Sequence, residues 1–211
     1  MDVAADGDLL ERLASDTAGT FGTFVRAHAG LVYTVALRCS GSRADAEDLA
    51  QETFVRAYKA LTSYSAERIR ELNPRGWLSA IVTNLWRNEL RRRSRRPREA
   101  PLEDSGLLVP AAPNAEDEAL SRFGSRELAR TLLGLPEQHR IALVLRHVVG
   151  LSYDEIAEAL GCPVGTAKTR VHRAASTLRE LLEANAPDDE GRRPADAQHG
   201  IDLREKEGVR R

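Results

Sequence analysis

The sequence predicts an all-α protein made of two small helical domains joined by a flexible linker. Apolar residues recur at the spacing of one helical face along most of the 211 residues, and no sustained two-residue alternation typical of strands appears. A stretch rich in Pro, Ala and acidic residues interrupts this pattern and indicates the linker. The predicted parts are an acidic N-terminal segment (1–20), a first domain (21–97), the acidic linker (98–114), a second domain (115–184) and a disordered tail (185–211).

Composition excludes several classes of protein. The chain has 31 Lys and Arg against 32 Asp and Glu, so any charged surface must come from local distribution. Cys39 and Cys162 lack the paired spacing of a zinc site or disulfide framework, and no residue cluster predicts a cofactor. The N-terminus is acidic rather than basic and then apolar, and no apolar run could cross a bilayer. We therefore expect a cytoplasmic protein with no membrane insertion, metal, cofactor or small-molecule substrate.

Two helices form the first half of the predicted first domain. The helix from Phe21 to Cys39 carries one apolar face, and His28 belongs to it as a packing residue because no partner with metal-site spacing is near. The next helix, ADAEDLAQETFVRAYKAL, has an apolar side and a polar side. The polar side carries Asp45, Asp48, Gln51, Glu52 and Lys59. Periodicity leaves open whether this side is a solvated surface or docks a basic partner.

A third helix begins at Pro74, because a proline fits the first turn of a helix. Trp77 lies on its apolar side, with Asn84 and Asn88 one turn apart at the edge of that side. Its end carries a cluster of arginines opposed only by Glu89, namely Arg87, Arg91, Arg92, Arg93, Arg95, Arg96 and Arg98. Such an unbalanced cluster favours a polyanionic partner. The added tryptophan favours contact with unpaired bases, on which aromatic rings stack. The asparagine amides either meet base edges or satisfy backbone groups, and the spacing leaves both open.

The second domain ends in a predicted helix-turn-helix. A preceding helix begins at Pro136 and turns Ile141, Leu145 and Val148 inward. Ser152 and Glu155 then form a capping box, and Gly161 supplies the left-handed residue between the two final helices. The second of these helices has a basic N-terminal end, with Lys168, Thr169 and His172 as candidates for base edges and Thr166, Arg170 and Arg173 for phosphates. A plain helical hairpin with a solvated basic face is the alternative.

Three segments together resemble the signatures of the extracytoplasmic-function (ECF) sigma factors, the group-four branch of the bacterial sigma-70 family. These segments are AEDLAQETFVRAYKAL, GWLSAIVTNLWRNELRRRSRR and LPEQHRIALVLRHVVGLSYDEIAEALGCPVGTAKTRVHRAASTLRE. They cover about residues 21 to 182 in the order of the family. The resemblance implies a first domain for core polymerase and the −10 promoter element, and a second domain for the −35 element.

The resemblance also implies roles for individual residues. Asp48, Gln51 and Glu52 match the D-x-x-Q-E motif that binds the clamp coiled coil of the β′ subunit, and Asp45 and Val55 are assigned with them. Trp77, Leu78 and Asn84 match positions beside the pocket for an unstacked −10 base, which the loop 62–73 lines. Tyr64 in that loop and Asn88, Arg87 and Arg91 on the helix are assigned to the same −10 contact. Lys168, Thr169 and His172 fall where the family reads the −35 duplex.

The function predicted from the sequence is promoter-specific transcription initiation. The expected partners are core RNA polymerase, through its β′ clamp and β flap, promoter DNA and an anti-sigma factor. We expect no enzyme, because the sequence shows no paired carboxylates on an apolar floor, no glycine-rich phosphate loop and no nucleophilic triad. A stand-alone helix-turn-helix regulator is the alternative, but it leaves the two motifs of the first domain without a purpose.

Overall fold

The structure is a computed structural model that describes residues 3–95 and 128–185. Within these ranges every regular element is a helix, which confirms the all-α prediction. The predicted linker 98–114, the arginines at 96 and 98, and the tail from 186 onward lie outside the described residues. None of the helices in the described ranges is both long and apolar enough to cross a bilayer.

The described helices form two bodies. The first body consists of α1 (Val3–Ser15), α2 (Thr17–Ser40), α3 (Arg43–Leu61), α4 (Ala66–Arg70) and α5 (Pro74–Arg95). The second body consists of α6, described over 128–133, α7 (Glu137–Val144) with a π-helical turn (Leu145–Val149), α8 (Tyr153–Leu160) and α9 (Val164–Asn185). Helix α5 therefore begins at the proline that the sequence indicates.

Helix α2 is the centre of the first body. Asp16 caps its N-terminus by accepting a hydrogen bond of 2.9 Å from the amide of Gly19, and Gly41 ends it in the left-handed conformation at φ 74°. Phe24, Val32 and Val35 on its inner face are fully buried against α3 and α5. Burying one such side chain contributes about 1.5 to 3 kcal/mol, so this face holds the body together.

The packed body begins earlier in the chain than the predicted boundary at residue 21. Residues 3–15 form α1, and its Leu9, Leu10 and Leu13 are buried against α2 and α4. Arg70 of α4 also holds Glu11 through two hydrogen bonds of 2.7 and 3.1 Å. Although the segment is acidic, it contains three leucines at helical spacing. Their burial is enough to pack α1 against α2 and α4.

The sequence predicts that Val148 faces inward, but the structure places it at the surface. After Val144 the helix widens into the π-helical turn Leu145–Val149, which Gly150 ends at φ 85°. The wider turn rotates the residues that follow it relative to a regular helix. Val149 is therefore buried, whereas Val148 is 38% exposed.

The two bodies pack against each other through α2 with α7 and α5 with α8. At one end, the Leu133 side chain of α6 packs against Gly41. A β-carbon added to Gly41 would lie only 2.6 Å from the Leu133 methyl carbons. Cys39, two residues earlier, is 1% exposed. Of the charged groups on α7, Arg140 lowers the pKa of its thiol and Glu137 raises it, both less than burial does. This burial raises the pKa of the Cys39 thiol to about 12. We call this packing of the two bodies the closed arrangement.

His28 lies in the core of the first body, as the sequence predicts. Its imidazole is 1% exposed, its ring centroid lies 4.6 Å from that of Phe24, and neither nitrogen has a hydrogen-bond partner among the described residues. Burial lowers the pKa of His28, Asp6 raises it to a smaller extent, and Arg75 lowers it further. The folded protein therefore binds a proton on His28 less readily than the unfolded chain does.

We expect the folded state to lose stability as the pH falls below the ordinary histidine pKa of 6.5. In that range the unfolded chain binds a proton that the folded core does not accept, which favours unfolding. Urea unfolding at pH 7.5 and 5.5 measures the effect, and His28→Leu serves as the comparison because it cannot titrate. The glutamates with lowered pKa values titrate below this window. Equal pH dependence of the two proteins would contradict the prediction.

Candidate DNA and polymerase interfaces

Helix α3 presents an exposed acidic stripe. Ser42 begins the helix by accepting a hydrogen bond from the amide of Asp45. Because one side of α3 is buried, the opposite side faces outward. Its residues Asp48, Gln51, Glu52 and Val55 are all exposed. Val55 is a large apolar side chain with 47% of its surface exposed. We call these four residues the α3 stripe.

Asp45 does not belong to the α3 stripe. Its carboxylate pairs with Arg93 of α5 at 2.5 Å, and only 23% of its side chain is exposed. Arg93 and Arg92 also hold Glu89 at 2.8 Å, which lowers the pKa of Glu89 to about 2. Asp45 therefore fixes the start of α3 to the end of α5. Two of the arginines at this end are engaged by carboxylates and are less available to DNA.

Two aromatic rings meet where the sequence predicts the −10 base pocket. Tyr64 and Trp77 have ring centroids 6.1 Å apart at an interplanar angle of 51°, and the Arg68 guanidinium lies 3.8 Å from the Tyr64 centroid. Asn73 accepts a hydrogen bond from the amide of Gly76 and so shapes the start of α5. The rings line a cavity of about 530 Å³. Arg68 was not singled out from the sequence, because only the fold brings it over Tyr64.

The other predicted −10 residues lie along α5. At about 100° per residue, Trp77, Asn84, Asn88 and Arg91 fall on one line of the helix, and the last three are exposed. Arg91 donates a hydrogen bond of 3.4 Å to the side-chain amide oxygen Oδ1 of Asn88. Arg87 lies beside this line, half-buried. This line, which we call the α5 line, joins an aromatic ring to amide and guanidinium groups.

The helix-turn-helix forms as the sequence predicts. Ser152 and Glu155 make both hydrogen bonds of the capping box, at 2.7 and 3.2 Å, and Gly161 ends α8 in the left-handed conformation. The amide and hydroxyl of Ser152, followed by Asn73 of the first body, lower the pKa of Glu155. Ala157 and Leu160 are buried, so α8 packs closely against α9.

Helix α9 presents the predicted −35 residues on its outer side. Lys168, Thr169, His172 and Arg173 are exposed, whereas Thr166 and Arg170 are half-buried. The Lys168 amine lies 5.7 Å from the Tyr153 ring centroid on α8. The structure also brings Gln138 and His139 of α7 beside this helix. These two residues belong to no motif in the sequence, so only the packing of α7 beside α9 reveals them.

The closed arrangement places α8 over the aromatic pocket. The Asn73 amide donates to the Glu155 carboxylate at 2.5 Å, and Glu158 also lines the cavity that contains Trp77. Two arginines of α5 reach carbonyl oxygens of the second body. Arg75 donates to the Val149 carbonyl at 2.7 Å and Arg87 to the Leu160 carbonyl at 3.4 Å. In this arrangement the acidic side of α8 occupies part of the predicted −10 surface.

The second body also has an open apolar groove. It has a volume of about 640 Å³ and lies between α6, α7 with its π-helical turn, and α9. Leu128, Leu132, Val148, Leu178 and Leu182 are among its lining side chains, with His147 and Arg179 at its polar edge. An apolar surface of this kind fits the apolar face of a partner helix.

Comparison with known proteins identifies the family. The model of sigma-70 region 2 matches residues 24–96, and the model of sigma-70 region 4 matches residues 125–178. The ECF RNA polymerase sigma-E factor of Haemophilus influenzae is 33% identical over 185 residues, covering 84% of this chain and 93% of that protein. The chain belongs to the ECF sigma factor family. Its first body contains the sigma-2 region of this family and its second body the sigma-4 region.

Other members of the ECF sigma factor family support this assignment. The ECF RNA polymerase sigma factor SigE of Mycolicibacterium smegmatis is 42% identical over 159 residues, which cover 75% of this chain and 60% of that protein. The chain thus matches less than two thirds of this relative's length.

Two solved structures also share the fold. CnrH in complex with the cytosolic domain of CnrY matches with TM-score 0.62 at 28% identity, covering 86% of this chain and 99% of that chain. The sigma factor RpoE in complex with the anti-sigma factor NepR, from Bartonella quintana, matches with TM-score 0.60 at 28% identity, covering 78% and 98%.

Proposed function

We propose that this chain binds core RNA polymerase and directs transcription initiation at promoters that carry specific −10 and −35 elements. It acts in the cytoplasm as an initiation factor and not as an enzyme. The observation that supports the proposal is the presence of two different exposed polar and basic surfaces on one chain, the α5 line and the outer side of α9. The α5 line suits separated strands, and the outer side of α9 suits duplex DNA. A stand-alone regulator has no use for the first of these surfaces.

The −35 element is read by α9 in the major groove. Thr169 and His172 face away from the buried side of the helix and reach base edges, with Lys168 beside them. One good base contact contributes about 1 to 3 kcal/mol of discrimination against a wrong base. Phosphate contacts by Arg170 and Arg173 mainly add affinity that depends on salt.

The −10 element is held by the first body as single-stranded DNA. An unstacked base enters the cavity beside Trp77 and Tyr64 and stacks on an aromatic face, which contributes about 1 to 3 kcal/mol. Asn84 and Asn88 supply donors and acceptors for base edges, and Arg91 supplies positive charge for the backbone. Capture of freed bases stabilises the open promoter against closure of the duplex.

Two surfaces attach the chain to polymerase. The α3 stripe binds the clamp coiled coil of β′, where its carboxylates meet a basic surface and Val55 adds apolar contact. The apolar groove of the second body receives a helix of the β flap. Binding at two sites raises the effective concentration of each body at its own promoter element.

An anti-sigma factor is a further proposed partner. RpoE of Bartonella quintana is bound to the anti-sigma factor NepR in its solved structure. Its similarity to this chain covers 78% of the chain and so includes residues of both bodies. We propose that a partner of this class holds the chain inactive until it is released.

Run-off transcription tests the proposed function. Purified chain and core polymerase are incubated with a pool of templates whose promoter region is randomised, and transcribed templates are sequenced. We expect enrichment of two short elements at a fixed separation. Transcription at the same sites with core polymerase alone, or no enrichment of any element, would contradict the proposal. Duplex binding without transcription would favour a stand-alone regulator.

A further inference from the structure

A cleft separates the first turn of α7 from the recognition helix α9. Its volume is about 350 Å³. Gln138 and His139 line it from α7, and Thr166, Thr169, Arg170 and Arg173 line it from α9. We call it the α7–α9 cleft. The sequence motif of the helix-turn-helix comprises α8 and α9, so it accounts for only one wall of the cleft.

The cleft lies on one flank of α9. Ala167, Val171 and Ala174 are buried and define the inner side of the helix, so Thr169 and His172 lie on the outer side at about 100° per residue. Lys168 leans towards Tyr153 of α8 on one flank. The residues at 166, 170 and 173 lie on the opposite flank, which faces α7. The two flanks of α9 therefore carry different polar groups.

The basic groups of the α7–α9 cleft are not paired with carboxylates within residues 3–95 and 128–185. Among the described residues, neither Arg170 nor Arg173 forms an ion pair. The side chains of Gln138 and His139 make no hydrogen bond within the described ranges, and Gln138 is exposed. Two guanidinium groups, an imidazole and an amide thus converge without neutralisation, which suits a phosphate group.

Duplex DNA places a phosphate backbone at this position. The major groove is about 12 Å wide, so a helix lying in it has one sugar-phosphate backbone along each flank. With Thr169 and His172 towards the bases, the α7 flank of α9 faces one of the two backbones. Gln138 and His139 extend the contact surface beyond the recognition helix itself.

We propose that the α7–α9 cleft binds a backbone phosphate of the −35 duplex, with Gln138 and His139 as contacts supplied by α7. This inference rests on the proposed function, in which α9 enters the major groove. Arg170 and Arg173 supply the charge. Gln138 and His139 supply hydrogen bonds that fix the orientation of the body on the duplex. Such contacts position the protein and act on every sequence alike.

The test is binding of the full chain to a labelled 20-base-pair duplex of mixed sequence, followed by fluorescence anisotropy at several salt concentrations. The double variant Gln138→Ala, His139→Ala loses two hydrogen bonds to the duplex. We expect it to bind about tenfold more weakly. Arg170→Gln is expected to reduce the salt slope by about 0.9, because one phosphate contact is lost. Gln138→Glu keeps the shape of the side chain and adds a repelling charge, so it is expected to weaken binding as well.

The matched control is Arg130→Gln, which removes one positive charge, as Arg170→Gln does. Arg130 is exposed on α6 of the same body and lines neither the cleft nor the apolar groove. We expect this variant to bind duplex within about twofold of the wild type. Thermal unfolding of each variant checks that it folds.

Duplex binding by the Gln138 and His139 variants at the wild-type level would overturn the inference. An equal loss on a single strand of the same length would also overturn it, because the cleft would then bind any polyanion. The proposed function is judged separately by run-off transcription. Promoter-directed transcription with unaffected duplex binding would reject the cleft alone, whereas absence of such transcription would reject the proposed function.

Discussion

Glu52→Lys is expected to weaken binding of the chain to core polymerase by on the order of 100-fold, or about 2.7 kcal/mol. Glu52 lies in the α3 stripe with Asp48 and Gln51, and its side chain is 47% exposed. A lysine there meets the basic clamp surface with a like charge and leaves a basic partner group unpaired. Titration of fluorescently labelled chain with core polymerase measures the change. We expect a weaker salt dependence for the variant, because an attractive charge contact is lost.

Glu47→Lys provides a matched control on the same helix. Glu47 pairs with Arg43 at 2.9 Å, just as Glu52 pairs with Arg56 at 2.8 Å, and both pairs are exposed i,i+4 contacts. Both pairs are exposed and screened by solvent, so the loss of either changes folding stability little and unfolding does not explain a difference between the variants. Glu47 lies outside the α3 stripe, and we expect near wild-type binding. Equal weakening by both substitutions would place the polymerase contact elsewhere.

Local features of the fold could be predicted because short stretches of sequence determine them. The capping box of Ser152 and Glu155 needs only residues three positions apart, and the left-handed turn at Gly161 needs only a residue without a β-carbon. The start of α5 at Pro74 follows from the same kind of local rule. These features place α8 and α9, and therefore the candidate −35 surface, before any tertiary contact is known.

Long-range features could not be predicted from periodicity. Asp45 and Arg93 are 48 positions apart in the sequence, yet their pairing removes Asp45 from the α3 stripe. The π-helical turn shifts the register of Val148, and no residue type in that stretch demands it. Gln138 and His139 lie beside the proposed −35 surface only because α7 packs beside α9. For Asp45 and for these two residues, a tertiary contact decides which surface they belong to.

The contact between the two bodies has the largest consequence for the proposed function, because it covers the proposed −10 surface. Glu155 and Glu158 line the cavity of Trp77, and Arg87 donates to a carbonyl of α8. These two carboxylates repel the phosphate backbone that must approach the cavity together with a base. We therefore expect that the closed arrangement must open before the chain captures a −10 base, and that Leu133→Asp favours the open form. An aspartate beside Gly41 places a charge in an apolar contact, which is unfavourable unless water enters.

Cys39 reports this opening directly. In the closed arrangement its thiol is 1% exposed and its pKa is about 12, against an ordinary value of 9.0. If opening returns the pKa of Cys39 to its ordinary value, the fraction of thiolate at pH 8 increases by up to about a thousandfold. With Cys162→Ser as background, we expect a maleimide to label Cys39 rapidly in the Leu133→Asp variant and slowly in the parent protein. Labelled single-stranded DNA is expected to bind the free Leu133→Asp variant more tightly than the parent.

Leu128→Asp separates opening from general damage. It makes the same change in the same helix, but Leu128 is 37% exposed and lines the outer apolar groove instead of the contact with the first body. We expect this control to leave Cys39 slow to react. With core polymerase present, we expect the parent and Leu133→Asp proteins to transcribe equally from the same −10 element. The proposed attachment at the α3 stripe and the apolar groove would separate the two bodies in both proteins. Rapid labelling of Cys39 in the parent protein would show that the closed arrangement does not limit access to the −10 surface.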